Sequence, residues 1–123
     1  MRPSDVIEDA GKKMKALMRA DLSVALKERR TDEAKVVRTL IAAIDNAEAP
    51  PLPAGHAASV ALRFESGAAE VERLCLSRSH LRRLLRTEIE EREQAAAALD
   101  HLNRADRAAA LRAEALVVRR YLD

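Results

Sequence analysis

The chain has 123 residues, of which 48 % are hydrophobic, 34 % charged and only 2 % aromatic, and its 22 basic and 20 acidic side chains leave a net charge of +2. The dominance of Ala, Leu, Glu and Arg over β-branched and aromatic residues speaks against an all-β fold. The apolar content speaks against disorder along the whole length, and the near-balance of charge against a nucleic-acid tail. A length of this order fits one domain, 1–123. Cys75 is the only cysteine, so no intrachain disulfide and no cysteine-based zinc site can form. No apolar run is long enough to span a bilayer, and the charged amino-terminus lacks the apolar core of a signal peptide. The expectation is a cytoplasmic protein.

The pattern predicts an all-α four-helix bundle built from two helical hairpins, with helices at about 3–29, 31–48, 77–101 and 104–122. The first helix is expected to start near Pro3 or Ser4, since proline is tolerated at a first helical position. Its stripe is Met14, Leu17, Met18, Leu22, Ala25 and Leu26, at spacings of three and four. Thr31 is the expected cap of the second helix, with Asp32 and Glu33 in the first turn, where the helix dipole favours acids. Val36, Val37, Leu40, Ile41, Ile44 and Ala47 form its stripe, and Pro50 and Pro51 end it.

Residues 50–66 read as a Pro-rich insertion, a linker or long loop within the domain, and 68–76 as a short helix. Ser77 is the expected cap of the third helix, whose stripe is Leu81, Leu84, Leu85 and Ile89, followed by the run Ala95–Ala98. A break at Asn103 or Arg104 precedes the fourth helix, with Ala108, Leu111, Ala115, Val118 and Leu122 as its stripe.

Motifs that would carry catalysis are missing. The glycines Gly11, Gly55 and Gly67 are scattered, so no phosphate loop is present. His56, His80 and His101 each stand alone, and none belongs to a Glu-x-x-His pair, so no metal or cofactor is expected. Glu88 and Glu91 lie three apart, but among Arg86, Glu90, Arg92 and Glu93 they read as a solvated face with intrahelical ion pairs. Cys75 reads as a packing residue, His80 and His101 as surface or capping residues, and Tyr121 as core. Three basic groups stand out. Lys12, Lys13, Lys15 and Arg19 lie on the first helix. Arg78, Arg82, Arg83 and Arg86 lie on the third, and Arg112, Arg119 and Arg120 on the fourth. Such groups can neutralise phosphates. With almost no aromatic residues to stack on bases, any RNA contact would be to the backbone.

Two stretches carry a family resemblance. The first is Met18-Arg19-Ala20-Asp21-Leu22, continued by Val37-Arg38-Thr39-Leu40-Ile41-Ala42-Ala43-Ile44-Asp45-Asn46-Ala47-Glu48. The second is Leu84-Leu85-Arg86-Thr87-Glu88-Ile89-Glu90-Glu91-Arg92, followed by Arg104-Ala105-Asp106, Glu114 and Tyr121-Leu122. In order and spacing they resemble the GatB/YqeY-domain proteins over about residues 14–48 and 77–122. The resemblance implies the amino-terminal helical lobe of that family. It also implies kinship with the tail region of the B subunit of tRNA-dependent amidotransferases, a part that binds tRNA and performs no chemistry. Asp45 stands where the family usually has Lys, and Asp123 where it usually has Pro. The helical tail of roughly fifty residues with which many relatives continue, a minimal domain in length, is not in this sequence.

The expected function is a non-catalytic helical module that binds tRNA or a translation-associated protein, with Arg38, Arg82, Arg83, Arg86 and Arg92 as the phosphate contacts. One alternative is a protein-interaction or homo-oligomeric bundle, using Ala95–Ala98 and the fourth helix's stripe. The other is an accessory part of a carbon–nitrogen ligase with glutamine as amide donor. With no nucleophile–base pair and no nucleotide loop in the sequence, the chain is not expected to be an enzyme by itself.

Overall fold

The computed structural model describes residues 9–50 and 74–122, and these form four helices and no strand. They are α1 (Ala10–Lys27), α2 (Thr31–Glu48), α3 (Arg78–His101) and α4 (Ala105–Arg119). The all-α, two-hairpin bundle is therefore as expected. α1 packs mainly on α2, and α3 on α4, while α2 against α4 joins the hairpins. No helix among the described residues is long and apolar enough to cross a membrane.

The start of α1 differs from expectation. Asp9 has non-helical dihedrals and caps the helix, its carboxylate accepting the Lys12 N–H at 3.0 Å. That side chain satisfies one of the orphan donors of the first turn and sets the helix start at Ala10. The expected residues 3–8 of that helix, residues 51–66 of the expected insertion and residues 68–73 of the expected short helix lie outside the described residues. Leu74, Cys75 and Leu76 are not helical, in contrast to the expected short helix ending there. Instead the Leu74 N–H donates to the Glu48 carbonyl at 2.8 Å, and Leu76 accepts the Ala10 N–H at 3.2 Å. Leu76 thereby plugs the end of the first hairpin, almost fully buried.

Both hairpins turn in the same way. At the end of α1, Arg29 takes a left-handed φ of 61°. Its N–H bonds the Leu26 carbonyl at 3.2 Å, and the next N–H, of Arg30, bonds Ala25 at 2.8 Å. At the end of α3, Asn103 has φ 59°, and the Asn103 and Arg104 N–H groups bond Asp100 and Leu99 at 3.1 and 2.9 Å. This is the paired 6→1 and 5→2 arrangement that closes a helix through one left-handed residue. The turn makes Arg30 the cap residue of α2, so Thr31 is the first helical residue and not the expected cap. Asp32 and Glu33 do occupy the first turn. At the other end, Ala49 is extended (ψ 136°) ahead of Pro50, as the proline ring requires. Ser77 caps α3 as expected, accepting the His80 N–H at 3.1 Å.

The core combines Met18, Val36, Val37, Leu40, Ile44, Leu76, Leu81, Leu85, Ile89, Ala115, Val118 and Tyr121. Each large aliphatic side chain taken fully from water contributes about 1.5–3 kcal/mol. Ala96 and Ala108 are fully buried, and side chains this small let α3 and α4 approach closely. Leu17 and Leu26, expected in the stripe of α1, are instead 51 % and 45 % exposed. The reason is that Gly11, Lys15, Met18 and Ala25 define the inward face of that helix. Cys75 is exposed and is not the packing residue expected.

Candidate nucleic-acid interface

The basic residues fall into two populations among the described residues, one held by carboxylates and one exposed without an acidic partner. The most enclosed group is Lys15, which is 7 % exposed, with Glu48 at 2 %. The Lys15 ammonium donates to Glu48 Oε1 at 2.5 Å and to Asp45 Oδ1 at 2.7 Å. Burial pulls the ammonium downward, but the hydrogen bonds and charges of Asp45 and Glu48 outweigh it and raise Lys15 above its ordinary value of 10.5. A lysine held charged in this way is a tether and not a nucleophile. Asp45 is thus one of the two carboxylates that hold Lys15. The other Glu48 oxygen faces Gly11, where a Cβ would stand 2.7 Å from it. A side chain at position 11 and the buried carboxylate compete for one space.

A second group ties the end of the chain to the first hairpin. The Tyr121 hydroxyl donates to Asp21 Oδ2 at 2.6 Å. Beside it, Arg120 pairs with Glu33 at 3.0 Å and Arg30 with Glu33 at 2.8 Å. Burial, then the Asp21 carboxylate, push the phenol well above the ordinary tyrosine value. Tyr121 is therefore a fixed donor at neutral pH, part of the core as expected.

The third group contains one of the expected phosphate contacts. Arg92 donates to Glu114 at 3.1 Å, to Glu88 Oε1 at 2.8 Å and to the Glu88 carbonyl at 3.0 Å, with its side chain only 12 % exposed. A phosphate could reach this guanidinium only by displacing two carboxylates. Arg92 thus differs from the surface arginine anticipated and joins α3 to α4. Arg112 and Arg119 are likewise paired, with Asp100 at 2.5 Å and Glu93 at 2.8 Å.

Among the described residues, Lys12 and Arg19 on α1 and Arg38 on α2 are exposed without an acidic partner, and a set of four such residues lies together on the amino-terminal half of α3. Arg78, Arg82, Arg83 and Arg86 are all exposed, and among the described residues none of them has an acidic partner. They project from a helix fixed by Leu81, Leu85 and Ile89, each buried to within 4 % exposure. A shallow cleft lined by His80, Arg83, Leu84, Thr87 and Glu88 runs alongside. Arg38 is exposed on α2, outside this row. Arg78 lies in the first turn of α3, where no acidic residue offsets the positive end of the helix dipole.

Sequence spacing finds the α3 row but cannot separate it from the other two basic groups. The fourth-helix arginines are neutralised by acids 12 and 26 residues before them in sequence, and Lys15 by acids 30 and 33 residues beyond it. Among the described residues no cluster of three His, Cys, Asp or Glu side chains could hold a metal ion. Comparisons with models of protein families, with curated proteins and with solved structures yield no match to this chain.

Proposed function

We propose that this chain is a non-catalytic helical module that binds RNA, with tRNA as the expected ligand from the family resemblance, through the arginine row at the start of α3. The single supporting observation is the partition of the cations. Lys15, Arg92, Arg112, Arg119 and Arg120 are held by carboxylates, and of the cations without an acidic partner among the described residues, Arg78, Arg82, Arg83 and Arg86 are the four gathered on one short stretch of helix. Phosphate is the ligand class that four exposed guanidinium groups on one rigid helix suit best, because each offers paired donors to anionic oxygens.

The test is fluorescence anisotropy of labelled bulk tRNA with the purified chain, at low and at physiological salt. Micromolar binding that weakens steeply with salt is expected, because phosphate neutralisation releases counterions. Absence of binding at low salt refutes the reading.

A second reading is a self-associating bundle, favoured by the exposure of Leu17 and Val24, seven residues apart along α1, and of Leu116 on α4. Light scattering across a concentration series separates the two, since this reading requires a mass that rises with concentration in the absence of RNA.

A further inference from the structure

Resting on that reading, we infer that the α3 arginine row takes the sugar–phosphate backbone of a double-stranded RNA stem and not a single-stranded segment. Binders of single strands combine a basic groove with aromatic platforms on which unpaired bases stack. Among the described residues the cleft beside the row is shallow and carries Glu88 as well as His80 and Arg83, and no Phe, Tyr or Trp is exposed. Tyr121 is the sole Phe, Tyr or Trp there, buried at 5 % exposure with its hydroxyl tied to Asp21. The row itself sits on the outer side of a helix, a convex surface that cannot wrap a flexible strand.

Its geometry suits a rigid ligand. Arg78, Arg82 and Arg86 recur every four residues, so their Cα atoms advance by about 6 Å per step and about 12 Å in all. Arg83 sits beside the middle of the row. A flexible strand would have to be ordered to meet this fixed spacing, with no stacking to offset the entropy lost. A duplex presents its phosphates already ordered, and RNA stems are recognised chiefly by shape, phosphates and 2′-hydroxyls. Thr87 donates its hydroxyl to the Arg83 carbonyl at 3.0 Å and Ser79 pairs with the Ser77 hydroxyl at 3.2 Å, so both exposed oxygens would meet a ribose hydroxyl as acceptors. Glu90 and Glu91, also exposed, close the basic surface one turn beyond Arg86. The contact is therefore short, a few phosphates, and indifferent to base sequence.

The experiment compares a labelled RNA hairpin, mostly paired, with an unstructured uridine oligomer of equal length and charge, each titrated with the whole chain by anisotropy. The hairpin is expected to bind tighter by about tenfold, with log affinity falling against log salt with a slope of about −3 for three to four phosphates. A second hairpin with its base pairs permuted is expected to bind equally well. The triple variant Arg82→Ala, Arg83→Ala, Arg86→Ala is expected to lose hairpin binding while its helical circular dichroism and melting stay those of the parent. The Arg112→Ala, Arg119→Ala variant, on paired arginines, is expected to keep it. Equal or tighter binding of the uridine oligomer overturns the duplex inference and leaves RNA binding standing. Retention of hairpin binding by the triple variant overturns the assignment to α3. Failure of both RNAs to bind at low salt overturns the proposed function itself.

Discussion

Replacing Lys15 by Met removes the cation from the most buried charged group of the fold. At 2.5 Å from Glu48, an ion pair is worth roughly 6–7 kcal/mol in gross attraction at an effective dielectric of about 20. Several kcal/mol of desolvation per ion oppose that gain, so the pair's net worth is small. Breaking it is another matter. The Glu48 side chain is 3 % exposed, and its carboxylate would lose the ammonium while staying out of water. Removal of one partner from such a pair costs about 3–5 kcal/mol, a large part of a typical domain's stability of about 5–15 kcal/mol. Asp45 also holds the ammonium, at 2.7 Å, but at 40 % side-chain exposure it stays partly in water when the cation is removed, so the larger share of the cost falls on Glu48. Urea unfolding followed by circular dichroism should show Lys15→Met destabilised by about 3 kcal/mol. The double variant Lys15→Met, Glu48→Leu should recover most of that loss, because an apolar pair of similar volume replaces a buried ion pair at little cost. A single-variant loss below about 1 kcal/mol, or a double variant as unstable as the sum of its singles, would refute the reasoning.

Other expectations follow from the same contacts. Gly11→Ala should destabilise despite a helix-propensity gain of about 1 kcal/mol, because the new Cβ would stand 2.7 Å from a Glu48 oxygen that Lys15 holds in place; in a Glu48→Ala background the same change should stabilise, as denaturation midpoints will show. Arg29→Gly should stabilise by up to about 1 kcal/mol, since a side chain at φ 61° is strained and glycine is not; no gain in the urea midpoint would count against it. Tyr121→Phe should cost about 1.5–3 kcal/mol, the worth of a hydrogen bond to a charged acceptor, and a thermal melt unchanged from the parent's would contradict the Asp21 contact. Glu33 is held below its ordinary value of 4.5 by the Arg120 hydrogen bond and by the charges of Arg120 and Arg30. Its folded pKa is depressed, so its contribution is present above about pH 4.5 and is lost as pH falls through the folded value. Glu33→Gln should therefore flatten the acid limb of stability against pH, and an unaltered limb would rule this out.

Local information in the sequence determined the helices. Spacings of three and four place Val36, Val37, Leu40, Ile44, Leu81, Leu85 and Val118 inside, because a helix has only one face to bury. Ser77 and the Pro50–Pro51 pair mark ends through their own hydrogen bonding and ring geometry, which need no distant partner. The same logic failed at Thr31, since the turn that begins with the left-handed Arg29 assigns the cap to Arg30. Leu17 and Leu26 belong to an apolar stripe on paper. Only the packing of α1 against α2 decides that Lys15 and Gly11 face inward and those leucines outward. The exposure of Cys75 was likewise beyond the sequence, because it depends on Leu76 taking the place between the ends of α1 and α2.

The candidate site was half legible. Composition and spacing brought out basic residues on α3, α4 and α1 as three groups, the last of them mostly lysines. Their difference lies in partners far along the chain: Lys15 with Asp45 and Glu48, Arg92 with Glu114, Arg119 with Glu93, Arg120 with Glu33. A charge is free or neutralised according to what the fold brings within hydrogen-bond reach, and that is a property of helix packing, not of any local pattern. The sequence by itself determined where helices form and which residue types can meet phosphate. The tertiary structure alone decided which of those cations remain unpaired at the surface.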